Sequence, residues 1–294
     1  MAIKTIGVGD NVADFYTHIN TIYPGGCSFN FSAYSKMLGN DSAYLGLVSN
    51  DYAARHIIAV ADEMGIDTSR CHIQFGATPR PAVLIVDGER TFPEMEGSMG
   101  EGFNRLLLLS QKDLEYISSY DLIHTCVYAG TEQHLEALHD TNIPICMDFS
   151  TEYSDMYFRA NCKYIDYAIM SCSHISLEQM KDQMKKALEF GAKGVLATRG
   201  SEGSWYSEGE KIYHRDANLV KAVDTQGAGD SFLTAFFTNY VEWQKNGGDV
   251  NDAGAKEKAV YASLDAASIF TVKVVLLNGA FGHGIEYKED VILF

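Results

Sequence analysis

The sequence predicts an α/β fold in which helices cover both faces of a doubly wound, mostly parallel sheet, with a small separate β-sheet beside it. Short apolar runs alternate with helical patterns along most of the chain, and this order requires crossover connections between parallel strands. Segments 12–23 and 74–96 interrupt the alternation. The second segment contains Asp87-Gly88 between two extended runs, which is a strong hairpin signal. These two segments predict the small sheet, and an edge hairpin of the main sheet is the alternative.

The individual elements follow in order from the apolar pattern. Apolar runs bounded by turn residues predict buried strands over 3–8, 43–48, 121–127, 143–148, 167–170 and 194–198. Helical patterns predict a helix that opens at the glycine turn 25–26 and runs through residue 37, and further helices over 52–64 and about 131–139, 152–160, 176–190, 228–245 and 253–270. The glycine turn at 25–26 precedes the first helix, and Gly65 and Gly191 end two of the others. Since no repeat or low-complexity linker interrupts the chain, residues 1–294 are predicted to form one domain.

The composition is typical of a cytoplasmic enzyme. The chain of 294 residues is 46% hydrophobic, enough for one large core, and contains no apolar run long enough to span a membrane. The N-terminus lacks the apolar stretch of a signal peptide, and the six cysteines form no C-x-x-C pair, so reduced thiols are expected. The net charge of −16 argues against nucleic acid and anionic membranes as partners, because both attract Lys/Arg clusters. A solvated acidic surface explains this charge, and a substrate with a cationic group is also compatible with it.

Several common motifs are absent from the sequence. Gly7-Val-Gly9 follows a predicted strand, but Val12 stands where a dinucleotide fingerprint needs its third glycine. The sequence contains no P-loop, zinc-protease or nucleophile-elbow motif, which argues against those classes of NTPase, metalloprotease and α/β-hydrolase.

Segment 224–235, Asp-Thr-Gln-Gly-Ala-Gly-Asp-Ser-Phe-Leu-Thr-Ala, carries the main chemical signal. It starts as a turn and continues as an apolar helix. Gly227-Ala228-Gly229 leaves backbone N–H groups unobstructed at the helix start, where they and the helix dipole favour an anion. Asp230 adds a carboxylate that can take a proton from a hydroxyl attacking a phosphoryl group at that site. A plain helix entry with Asp as its cap is the alternative.

Two segments together resemble the signatures of the ribokinase-like (PfkB-type) carbohydrate kinases. Segment 224–230 reads Asp-Thr-Gln-Gly-Ala-Gly-Asp, as the C-terminal signature of that family does. Near the N-terminus, Gly25-Gly26 is followed by Asn30, by small residues and by Leu38-Gly39, as in the second signature. The two segments occur in the order of the family, and the resemblance runs from about residue 5 to residue 282.

The resemblance implies an ATP-dependent kinase that phosphorylates a primary hydroxyl of a sugar, with Mg²⁺ bridging the phosphates. Asp230 would be the base, and the amides of Gly227, Ala228 and Gly229 would stabilise charge on the transferred phosphoryl group. The small sheet, formed by about residues 12–23 and 74–96, would be a lid over the sugar. Such lids are often dimer surfaces in this family, so a homodimer through the lid is implied. The implied sugar-binding residues are Asp14, Gly25, Gly26 and Asn30.

The same resemblance implies a nucleotide site on the second half of the main sheet. Thr198, Gly200 and Gly203 match the strand-to-loop segment that lines the nucleotide in the family. Ser171, at the end of the preceding strand, is a further nucleotide-binding candidate.

Two features of the resemblance concern metal ions. Many members have Asn-x-x-Glu after a middle strand, which organises Mg²⁺ and phosphate, but this chain has Ser171-Cys-Ser-His174 there, with Glu178 out of spacing. Some members bind K⁺ near the first Asp of the signature. Asp224 and Gln226 would therefore border a monovalent-cation site.

A finer resemblance is to fructoselysine 6-kinases. It rests on Gly9-Asp10-Asn11 with Asp14, 23–26, Glu96-Gly97, 120–124 and 148–150. It implies a fructose-like ring joined through nitrogen to an amino acid. Asp10, Asn11 and Glu96 become candidates for the amino-acid end, and Arg90 for its carboxylate. A kinase for another sugar or a nucleoside is one alternative, and a catalytically silent metabolite-binding protein of the same fold is the other.

Overall fold

The computed structural model describes residues 2–86, 89–91 and 106–288. Apolar runs become strands where β-branched and aromatic residues fit a pleated, half-buried surface. The described strands are β1 (Lys4–Gly9), β2 (Val12–Tyr16), β3 (Thr21–Gly25), β4 (Asp41–Val48), β5 (His72–Ile73), β6 (Ala82–Val86), β7 (Glu89–Thr91), β8 (Leu122–Cys126), β9 (Ile145–Asp148), β10 (Tyr167–Ser171), β11 (Gly194–Thr198), β12 (Ser204–Ser207), β13 (Ile212–Arg215) and β14 (Ile285–Glu286).

Nine of these strands form the main sheet, in the order β13-β12-β11-β10-β9-β8-β1-β4-β5. All neighbouring pairs from β11 to β5 are parallel, and β12 and β13 are antiparallel additions at one edge. The predicted mostly parallel sheet is therefore confirmed. Because the strands are parallel, their carboxyl ends lie along one edge of the sheet, where open α/β sheets bind their ligands.

Helices cover both faces of this sheet. They are α1 (Cys27–Met37), α2 (Tyr52–Met64), α3 (Gln111–Ile117), α4 (Leu135–His139), α5 (Asp155–Asn161), α6 (Leu177–Glu189), α7 (Ala228–Lys245) and α8 (Ala253–Val274). Side chains of β10 alternate between the two faces, as strand geometry requires. Ile169 belongs to the core cluster that contains side chains of α1, α2, α7 and α8, whereas Met170 belongs to the cluster with side chains of α3 to α6. The doubly wound arrangement is thus confirmed.

The predicted small sheet is also confirmed. Its strand order is β14-β3-β2-β6-β7, so segments 12–25 and 82–91 belong to it. β6 and β7 pair antiparallel as a hairpin, although the Asp87-Gly88 turn between them lies outside the described residues. Strand β14 adds the C-terminal part of the chain to this sheet, which the sequence did not predict.

The structure differs from the sequence prediction at short elements. The β12–β13 hairpin and α3 were not predicted, because each is too short to show a period. The helix predicted over 152–160 begins only at Asp155, since Ser154 caps it by accepting the Tyr157 N–H. In the part of the chain that is described, no helix is long and apolar enough to cross a membrane.

Candidate active site

The N-terminus of α7 positions the candidate base. Gly227 caps the helix with φ at +71°, a left-handed conformation that glycine adopts without strain. Asp230 lies in the first turn, beside N–H groups that have no partner within the helix. Ala228 donates its N–H to the Thr225 carbonyl at 3.2 Å, whereas the amides of Gly227 and Gly229 donate to no acceptor among the described residues. Two of the three amides predicted to bind an anion therefore have no acceptor among the described residues and are available to a ligand.

Helix α1 brings a second polar side chain to Asp230. Asn30 donates from Nδ2 to Asp230 Oδ2 at 2.7 Å, between residues 200 positions apart in sequence. Asn30 is only 2% exposed, and its Oδ1 has no hydrogen-bond partner in the described structure. A buried amide oxygen without a donor costs free energy, so this atom points to a hydroxyl or amine of a ligand.

Asp148 is a third carboxylate near this position. It ends β9, is 7% exposed, and accepts the Ser150 N–H at 2.7 Å. Burial and the negative charges of Asp230 and Asp10 raise the pKa of Asp148 to about 7. The hydrogen bond from Ser150 acts in the opposite direction and lowers this pKa, but by less. Perturbed carboxylates of this kind are concentrated at functional sites. Asp148 had no role predicted from the sequence, although its place at the carboxyl end of a buried parallel strand is a signal for one.

Strand β2 attaches the small sheet to the loop before α7. Gln226 donates from Nε2 to Asp14 Oδ2 at 2.6 Å, and the Tyr16 hydroxyl donates to Asp224 Oδ2. Asp224 also accepts the N–H groups of Gln226 and Gly279, both at 2.9 Å. Asp14, Asp224 and Gln226 are thus buried and bonded to the chain itself. The contact of Asp14 with sugar and the monovalent cation beside Asp224 and Gln226 stay predictions.

The Gly25-Gly26 turn is required by the packing of the chain itself. A Cβ at Gly25 would lie 2.4 Å from Asp14 Oδ2. At Gly26, where φ is +105°, a Cβ would lie 2.7 Å from the Cα atom of Asn11. From the sequence, these glycines were predicted to let sugar come close to the backbone. Protein atoms also occupy the space that a side chain would need at both positions, and the approach of sugar to this backbone stays a prediction.

Asp10 and Asn11 support the local backbone. The Asp10 carboxylate accepts the N–H groups of Cys27 and Ser28 at 2.8 and 2.9 Å, and so caps α1. Asn11 donates from Nδ2 to two oxygen atoms of β4, at 2.8 and 2.7 Å. Both residues therefore have structural roles, and their predicted contact with the amino-acid end of a substrate stays a prediction.

A small cleft lies beside these two residues. Its lining includes Asp10, Asn11, Gln74, Leu107 and Tyr128. It adjoins the N-terminus of α1 and hence the side of the site where an acceptor is expected. The other two predicted contacts to the amino-acid end, Glu96 and the side chain of Arg90, lie outside the described residues.

The predicted nucleotide residues lie together at one edge of the sheet. Ser171 and Thr198 are register partners at the carboxyl ends of β10 and β11, and Gly200 and Gly203 follow β11. A Cβ at Gly203, where φ is +103°, would lie 2.1 Å from the Arg215 carbonyl oxygen, so glycine is required there by β13. The nearest atom to a Cβ at Gly200 is 3.6 Å away. Contact of these four residues with a nucleotide stays a prediction.

Among the described residues, two groups of side chains have ligand atoms close enough for a metal ion. The first group is Asp10, Cys27 and Cys126, and the second is Cys27, Asp148 and Asp230. In each group the possible ligand atoms lie within 4.8 Å of one another. The hydrogen bond with Cys126 and burial raise the pKa of the Cys27 thiol well above its usual range. A protonated thiol is a poor ligand, and Mg²⁺ prefers oxygen. The oxygen donors in these groups are Asp10, Asp148 and Asp230. Since both oxygens of Asp10 already accept backbone N–H groups of α1, Asp148 and Asp230 are the donors that best fit Mg²⁺.

Comparison with known proteins agrees with this geometry. Residues 5–260 match the model of the pfkB family carbohydrate kinases. Fructosamine kinase FrlD of Bacillus subtilis (strain 168) is 35% identical over 290 residues, which cover 98% of this chain and 96% of that protein. Fructoselysine 6-kinase of Escherichia coli (strain K12) is 27% identical over 239 residues, which cover 81% of this chain and 90% of that protein.

Solved structures show the same fold. The ribokinase of Arabidopsis thaliana, solved with ribose and ATP, superposes with a TM-score of 0.73 at 21% identity, covering 96% of this chain and 95% of that one. The fructokinase of Xylella fastidiosa, solved with ATP, gives a TM-score of 0.73 at 14% identity and covers 95% of this chain and 94% of that one. At these identities the likeness concerns the fold.

Proposed function

The chain belongs to the pfkB family of carbohydrate kinases, and we propose that it transfers the γ-phosphoryl group of ATP to a primary hydroxyl of an amino-acid-linked ketose such as fructoselysine. The observation that carries the catalytic part is the contact of Asn30 with Asp230 at the N-terminus of α7. It combines a carboxylate, an anion-binding helix end and a buried amide oxygen that needs a donor.

Asp230 accepts the proton of the attacking hydroxyl in this proposal. Asn30 holds Asp230 Oδ2 at 2.7 Å and so fixes the orientation of the carboxylate. A positioned general base contributes about 10²–10⁴-fold to the rate. The Asn30 Oδ1 atom accepts a hydrogen bond from a second group of the sugar, which places the acceptor beside the base.

The N-terminus of α7 stabilises the transferred phosphoryl group. In this proposal the N–H groups of Gly227 and Gly229 donate to the phosphoryl oxygens at the positive end of the helix dipole. Mg²⁺ bound with ATP supplies further positive charge to the phosphates. The nucleotide side of the site is formed by Ser171, Thr198, Gly200 and Gly203.

The small sheet covers the acceptor and excludes water. Asp14 lies on β2 and accepts a hydrogen bond from Gln226 in the loop before α7. Exclusion of water matters because water would otherwise compete with the sugar for the phosphoryl group. This role, and a homodimer through the sheet, are parts of the proposal.

The amino-acid-linked ketose is supported by the 35% identity with a fructosamine kinase over nearly the whole chain. The carboxylate of Asp10, which lines the cleft beside the expected acceptor position, also suits the secondary ammonium group of such a substrate, because opposite charges attract strongly where water is excluded. A neutral sugar lacks that group.

Steady-state kinetics with Mg-ATP tests the substrate. We expect kcat/KM for fructoselysine to exceed that for free fructose by about a hundredfold or more, because polar groups built for the amino-acid end are left unpaired by fructose. Ribose and adenosine serve as controls for the wider family. Equal values, or a preference for free sugar or nucleoside, would reject the ketose and keep the kinase, whereas no turnover with any acceptor would favour a silent binding protein.

A further inference from the structure

Asp148 lies between the two halves of the proposed site. Strand β9 has β10 and β11 on one side, which carry Ser171 and Thr198, and β8 and β1 on the other, which lead to Asp10. Since these strands are parallel, their carboxyl ends meet at the same edge of the sheet. Asp148 therefore stands where a phosphoryl group would pass from nucleotide to acceptor.

This position is unfavourable for a carboxylate without a cation. Asp148 is 7% exposed, and one of its oxygens lies within 4.8 Å of a carboxylate oxygen of Asp230. A nucleotide adds the negative charge of its phosphates to this pair. Like charges that are shielded from water repel strongly, so a cation between them would lower the free energy of the bound state.

We propose that Asp148 holds the Mg²⁺ ion that accompanies the nucleotide. The inference rests on the proposed kinase function. Mg²⁺ binds oxygen ligands at about 2.0–2.1 Å in octahedral geometry, so two ligand oxygens of one ion are at most about 4.2 Å apart. An oxygen of Asp148 and an oxygen of Asp230 lie within 4.8 Å of each other. This distance allows one hydrated Mg²⁺ ion to lie beside both carboxylates.

A second observation places a ligand in the same space. Asn30, whose Nδ2 bonds Asp230, has an Oδ1 atom without a partner among the described residues, at a side chain 2% exposed. Asn30 and Asp148 thus lie on the same carboxylate of Asp230, and the Asn30 oxygen calls for a ligand there. Cys27, the third member of the group, carries a neutral thiol and is the wrong donor for a hard cation.

The segment 171–178 offers a weaker alternative. His174 and Glu178 are both exposed, and Glu178 lies in the first turn of α6. An exposed carboxylate keeps its hydration shell and gains little from holding a cation. Glu178 is therefore the matched control: it is also a carboxylate on the nucleotide half of the sheet, but it is outside the site.

The experiment measures metal binding in the absence of sugar. Mn²⁺ is titrated into the protein with a non-hydrolysable ATP analogue and followed by electron paramagnetic resonance of the free ion. We expect Asp148→Asn to weaken Mn²⁺ binding by at least about tenfold and Glu178→Gln to leave it unchanged. In EDTA, the Asp148→Asn protein should bind the analogue as tightly as wild type or more tightly, because a negative charge next to the phosphates has been removed. Asp148→Ser provides a second variant with the same expectation.

A metal-binding role for Asp148 predicts weaker Mn²⁺ binding by the variants but equal or tighter binding of the ATP analogue in EDTA. A purely structural role predicts weaker binding of the analogue in both conditions. Equal Mn²⁺ affinity in wild type and both Asp148 variants would overturn the inference, and so would weaker binding of the analogue both in Mn²⁺ and in EDTA. A wild-type protein that binds no ATP analogue would overturn the inference together with the proposed function. Because no sugar is present, an error in the assignment of the acceptor leaves the result unaffected.

Discussion

Replacing Gly227 by alanine is expected to destabilise the folded protein. A Cβ there would lie 2.0 Å from the Tyr34 hydroxyl, and the backbone is left-handed at this position with φ at +71°. The left-handed conformation costs an alanine about 1–2 kcal/mol. Tyr34 is fully buried and donates to the Ala280 carbonyl at 2.6 Å, so moving it leaves a buried acceptor unpaired, at a further cost of about 1–3 kcal/mol. The total of about 2–5 kcal/mol corresponds to a fall in Tm of about 4–20 °C.

The same substitution at Gly229 should have a different effect. No atom lies within 4 Å of a Cβ at Gly229, and the residue is the second of helix α7. Alanine is the better helix former by about 1 kcal/mol, so Gly229→Ala should keep or raise Tm. A Cβ leans toward the N-terminus of its helix, where the phosphoryl group is proposed to bind. Displacing that group by about 1 Å would lower kcat on the order of 10²-fold.

Thermal unfolding followed by circular dichroism and steady-state kinetics on both variants provide the test. A Gly229→Ala protein with wild-type Tm and wild-type kcat would refute the placement of phosphate at the N-terminus of α7. A Gly227→Ala protein with wild-type Tm would show that the Tyr34 contact does not constrain this loop.

Three further predictions concern carboxylates. Asp230→Asn should lower kcat by about 10²–10⁴-fold with little change in KM for ATP, and near-normal kcat would remove Asp230 from the mechanism. Asp14→Asn, which keeps an acceptor for Gln226, should raise the sugar KM but not the ATP KM, and equal changes in both would contradict a contact with sugar alone. Asp113 accepts from Ser110 and Arg70, and these bonds hold the pKa of its carboxyl at about 2. This stabilisation is present above the ordinary pKa of about 3.8 and is lost as pH falls toward 2, so the cost of Asp113→Asn, about 1–3 kcal/mol by urea unfolding at pH 7, should shrink below about pH 4.

Local signals in the sequence were sufficient for the long elements. The helices predicted over 52–64 and 228–245 have those bounds in the structure, because caps and glycines mark their ends. Asp51 accepts the Ala54 N–H at the start of α2, and Gly65 ends it with φ at +73°. Short elements such as β12, β13 and α3 carry too few residues for a period, and their formation depends on the neighbouring edge of the sheet.

The contacts within the site could not be predicted in the same way. Asp230 and Asn30 were both named from the sequence, but their hydrogen bond joins two helix starts 200 positions apart. Asp148 was missed because its pKa of about 7 arises from burial and from charges on other elements, which a strand pattern does not contain. Sequence motifs therefore located the residues, and only the folded chain shows which of them act on one another.

Hydrogen bonds between β2 and the loop before α7, residues 224–227, connect the small sheet to α7, which carries the proposed base. Asp14 and Tyr16 are two positions apart on β2, so both side chains lie on the same face of the strand, and each bonds a residue of the loop, Gln226 and Asp224 respectively. The loop leads directly into Gly227 and the first turn of α7. A shift of β2 would therefore break buried hydrogen bonds unless the loop moved with it, and each such bond is worth about 1.5–3 kcal/mol when one partner is charged. We therefore expect strand β2 and the proposed phosphate site to move together, which would allow an acceptor that contacts the small sheet to set the position of the groups that stabilise the transferred phosphoryl group.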